Sequence, residues 1–352
     1  MWFIGVDAHK TKCSLTAKDE AGRLMMRTTF LHTREGWTNA FEKAPRGSKV
    51  AIECVGWYQP IFDLLETLGL EPILVHARDV ALIAKSRKKT DKRDSEVLCD
   101  LLRTDYLPTA HVPTKPTREL RELTRHHEKL VKRIVETKNR IHRLLERAWI
   151  PLPAVTDLFG KEGHRWLKTV NVSSAQKVVL ETLVEDLSHN QRTQTRISAE
   201  IAKRVKDDAD VKLLITINGI GIMGAACLKA EIDTVTRFPN RKCFRANFGM
   251  NPSVRDSAER EQRGRMTKQG PGVVRKVVVQ GAHHYTRHDQ RAREKTERIA
   301  LKRGKGRARA AAGSDLLNVA YQMLKTRTPY RFARDAEVKR KTAELARLAA
   351  AA

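Results

Sequence analysis

The chain has 352 residues, 41% of them hydrophobic and 31% charged. That length and balance predict two or three folded domains with a sizeable core and exclude a disordered chain. Lys and Arg number 68 against 41 Asp and Glu, a formal net charge of +27, the footprint of a protein that neutralises phosphates and releases their counterions.

The N-terminal MWFIGVDAHK has no signal-peptide profile, and no apolar run approaches the length of a membrane span. No lipidation signal and no basic amphipathic helix with aromatic anchors supports a membrane-surface role. Cys13, Cys54, Cys99, Cys227 and Cys243 are odd in number and in no zinc-like pattern, so a reduced, cytoplasmic protein is expected.

Residues 2–31 hold three strand-like runs, WFIGVD, KCSLTAKD and RLMMRTTFL, the last two flanking the turn signal EAG. A helix is predicted near 35–44. KVAIEC then reads as a buried strand, QPIFDLLETLG as a helix ending at Gly69, and EPILVH as a further strand. This order predicts an α/β domain with a mixed sheet over 1–107. DSEVLCDLLR, 94–103, is helical, and Pro108, Pro113 and Pro116 mark a linker.

Two long seams of alternating three and four spacing follow. One runs through Leu120, Leu123, His127, Leu130, Ile134, Thr137, Ile141 and Leu144; the other runs from Leu180 to Val205 with a polar middle at Gln191 and Gln194. They predict an antiparallel coiled-coil hairpin over 116–207, with two ordinary amphipathic helices as the alternative. Residues 208–330 read as a mostly helical domain, and the basic, Ala-rich 331–352 as a flexible tail.

The chemistry is carried by acids. Asp7 ends the first strand, Glu53 ends a later buried strand, and Asp91 and Asp94 lie three apart in KKTDKRDSEVL. On a helix that spacing shares a face. Adjacent strands would bring Asp7 and Glu53 beside that pair, where mutual repulsion calls for a divalent cation with hard oxygen ligands, Mg²⁺ or Mn²⁺. Lys88, Lys89, Lys92 and Arg93 around the pair suit a phosphate backbone. A solvated ion-pair face is the alternative for each acid alone.

IGVDAHK, IECVGWY and KKTDKRDSEVL together resemble the RuvC-like, ribonuclease-H-type domain of the DEDD transposases of bacterial insertion sequences. That family comprises bridge-RNA-guided serine recombinases and includes Piv-type invertases. It usually has Ala where this chain has Ser95.

Downstream, Gly219-Ile220-Gly221 lies between two helical patterns and resembles a helix-hairpin-helix element whose backbone N–H groups approach phosphate. A plain helical corner is the alternative. FGMNP, Ser257 and RMTKQG then follow the family's order of a Gly-x-x-Pro turn, a serine and a basic turn into a helix, with Arg265 and Lys268 as its cations. By that register Ser257 is the nucleophile, although Ser253 and Thr267 compete. The chain has Ala258 and Thr267 where the family more often has Gly and Ser.

The resemblance implies an RNA-guided DNA recombinase or transposase. Its Ser257 would form a phosphoserine, with divalent metal at Asp7, Glu53, Asp91 and Asp94. Implied partners are donor and target DNA, a non-coding bridge RNA, and further copies of the chain as a homodimer assembling to a tetramer. Sequence choice by RNA agrees with the absence of a DNA-reading motif beyond the hairpin. A metal-dependent RuvC-like nuclease or junction resolvase, with water as nucleophile, is the alternative reading.

Overall fold

In the computed structural model, the three opening runs of β-formers become strands β1 (Phe3–Ala8), β2 (Lys12–Lys18) and β3 (Leu24–Leu31). Residues 1–54, 56–76, 80, 83, 91–257 and 260–352 are described, with backbone alone at 91, 92, 255–257 and 260–263. The chain divides into two units, Met1–Val112 and Pro113–Ala352.

The N-terminal unit adds helix α1 (Arg34–Phe41), strand β4 (Lys49–Glu53), helix α2 (Tyr58–Thr67), strand β5 (Glu71–Val75) and helix α3 (Asp91–Arg103). The sheet order is β3-β2-β1-β4-β5. β1 is antiparallel to β2 and parallel to β4, so the sheet is mixed, as the order of strands and helices predicted. Its core forms because both faces are covered. Ile4, Val6, Val50 and Ile52 pack with Trp37 and Phe41 of α1 and with Ile61 and Leu65 of α2. Phe3, Ala51 and Val75 meet Leu98, Cys99 and Leu102 of α3 on the other face. Strand β3 has alternating exposure, as an edge strand does.

The C-terminal unit begins with α4 (Lys115–Arg147), α5 (Lys161–Thr169) and α6 (Ser174–Val205). A capping box at Ser173 and Gln176 starts α6. α4 and α6 run antiparallel. Ile141 and Leu144 share a core with Leu180, Leu183 and Leu187, and at the opposite end Arg204 donates to Glu119 at 3.0 Å. The heptad positions Ile134, Ile141, Leu187 and Ile201 are buried, as apolar seam residues should be.

The rest comprises α7 (Ala209–Leu214), α8 (Ile222–Ile232), α9 (Arg241–Asn247), strands β6 (Pro252–Ser257) and β7 (Arg260–Met266), α10 (Gly272–His288), α11 (Gln290–Arg303), α12 (Lys305–Thr326) and α13 (Asp335–Ala350). The base of the long hairpin is built into this core. Leu120, Ile201, Ala202 and Val205 cluster with Ile217, Phe244 and Leu316. Glu231 on α8 is 3% exposed and receives a bidentate pair from Arg125 at 2.8 and 3.0 Å. Helices predicted as a region of their own over 116–207 therefore share one unit with 208–330.

Residues 331–352, expected to be a flexible tail, differ most from expectation. Most of the stretch is helix α13, with Leu345 buried in the main C-terminal cluster. Leu345 and Leu348 fall on one stripe with Lys341, which is buried on the same helix, while Ala336, Ala343 and Ala346 are exposed. Charge on the outer face masked that stripe.

Candidate functional site

Alternation along β1 sends Phe3, Gly5 and Asp7 to one face and Ile4 and Val6 to the other. On β4, Ala51 shares the face of Phe3, and Glu53 follows it by the same alternation. The strands pair with Gly5 against Ala51 and Val6 against Ile52. The pairing ends there, and Asp7 and Glu53 are the next residue of each strand. Both lie on the face covered by α3.

Helix α3 crosses that face close to the backbone. A Cβ at Gly5 would lie 2.1 Å from the carbonyl oxygen of Ser95 and 2.4 Å from the amide nitrogen of Cys99. The Cys99 thiol donates to the Phe3 carbonyl at 3.0 Å. The helix thus runs antiparallel to β1. Four helical residues advance about 6 Å and two strand residues about 6.6 Å. The N-terminal end of α3, which begins at Asp91, therefore lies toward the end of β1 that carries Asp7. Asp94 is half-buried one turn along. Gly5 is the glycine that permits this approach. Its only signal in the sequence is a lone glycine inside a buried strand.

Ser95 is buried and hydrogen-bonded to the Thr16 hydroxyl at 2.9 Å. Its hydroxyl thus has a partner on β2 beneath the helix that carries Asp94.

Asp7 is buried, and its Oδ2 lies 3.2 Å from His9 Nε2. Sequence reasoning did not single out His9. Behind it, burial pushes the Cys13 thiol up to about 11, the charge of Asp7 adding to this and a hydrogen bond to the His9 carbonyl opposing it. Cys13 packs with Ile4 and Val6 on the opposite face, and the carboxylates are hard oxygen donors, which suit Mg²⁺ or Mn²⁺ rather than a soft metal. Among the described residues no group of three or more His, Cys, Asp or Glu is gathered as a metal centre. The side chain of Asp91 lies outside them. Of the predicted cations, Lys88 and Lys89 lie outside the described residues, as does the Lys92 side chain; Arg93 is exposed.

In the C-terminal unit the Gly-Ile-Gly turn connects α7 to α8. Gly219 has φ +92°, and a Cβ there would lie 2.4 Å from the carbonyl oxygen of Gly281 on α10. Its role in the structure is close packing against α10. Gly221 is the N-cap of α8, and a Cβ there would meet nothing within 4 Å. The two glycines expected to bind nucleic acid therefore differ: one is enclosed and one faces open space.

Ser257 ends β6, paired with Arg260 of β7. The hairpin was not foreseen, because PSVRDS and REQRGRM carry almost no apolar alternation. Its base is a socket of interlocked turns. Gly249 at φ +61° sits against Gln269, and Gly270 at φ +68° against Asn247. Arg275 donates to the carbonyls of Phe248, Gln269 and Gly270 at 3.0, 2.7 and 3.2 Å. Burial lowers the pKa of that guanidinium. Lys268 lies in the same turn with φ +55°, exposed, and Arg265 is exposed on β7. Of the competing hydroxyls, Thr267 donates to Asn251 Oδ1 at 3.2 Å. Ser253 lies against Gly264, whose Cβ would meet its Oγ at 2.3 Å. The Ser257 side chain lies outside the described residues.

Residues 4–150 match the family model for the DEDD transposase of IS110, and residues 211–297 match that of the transposase IS116/IS110/IS902 family. The chain is 22% identical over 341 residues to the transposase for insertion sequence element IS1111A of Coxiella burnetii, covering 94% of this chain and 91% of that protein. It is 23% identical over 290 residues to the transposase for insertion sequence element IS1328 of Yersinia enterocolitica, covering 80% and 83%. The acid-bearing sheet falls within the first model and the Gly-Ile-Gly turn and Ser257 hairpin within the second. The chain belongs to the DEDD-type family of insertion-sequence transposases.

Proposed function

We propose that the chain is an RNA-guided DNA recombinase acting through a phosphoserine at Ser257 and an acid site on a ribonuclease-H-like sheet. The observation that supports the reading is that β1 and β4, paired through Val6 and Ile52, carry Asp7 and Glu53 as the next residue of each strand, on the sheet face that α3 covers. Asp7, Glu53, Asp91 and Asp94 would hold Mg²⁺ or Mn²⁺, which when bound supplies charge neutralisation at a phosphate. Ser257 Oγ attacks phosphorus. The Oγ–P bond forms, the P–O3′ bond breaks, and the serine proton ends on the departing 3′-oxygen. A hydroxyl from another strand reverses the step and rejoins DNA without an external energy source.

The engagement of the Thr267 hydroxyl by Asn251 supports Ser257 over Thr267. The basic composition supports donor and target DNA and a bridge RNA as partners. The long α4–α6 hairpin suits assembly of dimers into a tetramer in which the acids of one protomer serve the serine of another. No described helix is long and apolar enough to cross a membrane.

The test is denaturing-gel detection of a protein–DNA adduct. It combines purified protein, RNA from beside its gene, Mg²⁺ and a labelled donor–target pair. An adduct formed by the wild type and lost in both Ser257→Ala and Asp94→Ala is expected. Cleavage without adduct, retained in Ser257→Ala, would replace this reading with a hydrolytic nuclease.

A further inference from the structure

The C-terminal unit also carries a cleft rimmed by arginines, and what it offers is independent of how Ser257 reacts. An open cleft lies where α10, α11, α12 and the segment 328–331 meet. Its floor is fixed and its acids are engaged. Tyr330 donates to Asp289 Oδ2 at 2.8 Å, and Tyr285 donates to Asp315 Oδ2 at 2.8 Å. Lys295 pairs with Asp315 at 2.7 Å. Asp289 also caps α11 by accepting from the Ala292 amide at 3.0 Å. Burial, followed by these acids, raises both tyrosine pKa values, so the hydroxyls remain donors to the carboxylates.

The rim is different. Arg241, Arg291, Arg298 and Arg331 line the same cleft and are all exposed. Among the described residues none of these arginines is ion-paired. Like charges gathered on one concavity repel, and fixed walls focus their field into it. A protein retains such an arrangement when a polyanion relieves it. Guanidinium groups suit phosphate because their donors form a planar fork.

We propose that this cleft binds the phosphodiester backbone of a nucleic-acid strand, with Arg291, Arg298 and Arg331 as its principal contacts. The aspartates and tyrosines of the floor satisfy one another, while Asn318, which lines the same cleft, keeps a buried Oδ1 without a hydrogen-bond partner among the described residues. Binding dominated by the rim arginines is steep in salt.

The test compares Arg298→Ala/Arg331→Ala with a charge-matched control, Lys339→Ala/Arg340→Ala, on the exposed face of α13. Binding of fluorescein-labelled single-stranded RNA, single-stranded DNA and duplex DNA is followed by anisotropy across a salt series. Each phosphate contact contributes a slope of roughly 0.7–0.9 in log K against log salt. The cleft variant is expected to lose about 10-fold or more at physiological salt and to lower the slope by about 1.4–1.8 for at least one of the nucleic acids. The control is expected to change affinity by less than about 2-fold. The nucleic acid that loses slope identifies the occupant. Equal losses in the cleft variant and the control, with all three nucleic acids, would reduce the cleft to part of a diffuse positive surface and overturn the proposal. Arg298→Gln/Arg331→Gln repeats the comparison with the side-chain stems kept.

Discussion

Lys341 on the last helix donates its ammonium to the carbonyl oxygens of Ile215 and Ile217, at 3.0 and 3.2 Å. Those carbonyls belong to the turn that leads to Gly219. The same turn is held by Asn218, which donates to the Phe332 carbonyl at 2.9 Å, and by the Tyr330 amide, which donates to Thr216 Oγ1 at 3.0 Å. The C-terminal segment is thus a structural support of the Gly-Ile-Gly turn.

Lys341→Ala is expected to destabilise the C-terminal unit by about 1.5–3 kcal/mol, because buried carbonyls lose a charged donor. Urea unfolding followed by circular dichroism measures this. A chain ending at residue 333 should lose more, since Leu345 leaves the main cluster as well. An unchanged midpoint in both would show that α13 is dispensable.

The two glycines of the turn should part company on mutation. Gly219→Ala combines a strained backbone with an overlap against the Gly281 carbonyl, and is expected to cost several kcal/mol or to prevent folding, on the order of 3 kcal/mol or more. Gly221→Ala meets open space at φ −87° and should fold normally. Any loss of nucleic-acid affinity in folded Gly221→Ala then reports contact at the open end of the turn. Equal melting temperatures for the two variants would contradict this account.

Ser95→Ala leaves the Thr16 hydroxyl without its partner, at a cost of about 1 kcal/mol, whereas Ser95→Ala/Thr16→Val removes both groups and should cost less than the sum of the single changes. Adduct formation should survive in all three, because the acids keep their positions. A double-mutant cycle with no coupling would mean that the hydrogen bond contributes nothing.

His127 lies beside Glu128, which accepts from Lys276 at 2.6 Å. Burial lowers its pKa below the ordinary 6.5, with Glu128 opposing and Lys276 and His126 assisting. A depressed folded pKa means that the unfolded chain binds the proton more readily. Stability from this group is therefore full above pH 6.5 and is lost as pH falls through the folded value. His127→Gln should flatten the decline in unfolding free energy as pH falls from neutral through 6.5, relative to wild type. Identical profiles would exclude His127 as a contributor.

The strands and the two seams were legible because their periods are strong: β1, β4 and β5 are apolar runs, and Leu187 and Ile201 fall on a single stripe. The positions of Asp7 and Glu53 at strand ends were equally readable. Their adjacency required a register, and the register depends on long-range pairing of residues 3–6 with 49–52, which no local pattern encodes. Gly5 and Ser95 gained meaning only once α3 lay across β1. The β6–β7 hairpin was illegible because polar and charged residues dominate both strands, leaving no core face to mark the period. Helix α13 was misread because its Ala-rich composition resembles that of a frayed end, while Lys341 and Leu345 tie it down through contacts far away in sequence.

The hairpin's socket sets a mechanical limit on the chemistry proposed for residue 257. From Pro252 to Ser257 the strand extends about 16 Å. A tilt of roughly 3–4° at its base displaces the tip by about 1 Å, and such a displacement of a reacting group can reduce rate by about 100-fold. Arg275 and the paired turns at Gly249 and Gly270 therefore act as the bearing of a lever, and wear at that bearing is amplified along the arm. Lesions there that leave the socket folded would slow the reaction from a distance, and be mistaken for defects at the tip.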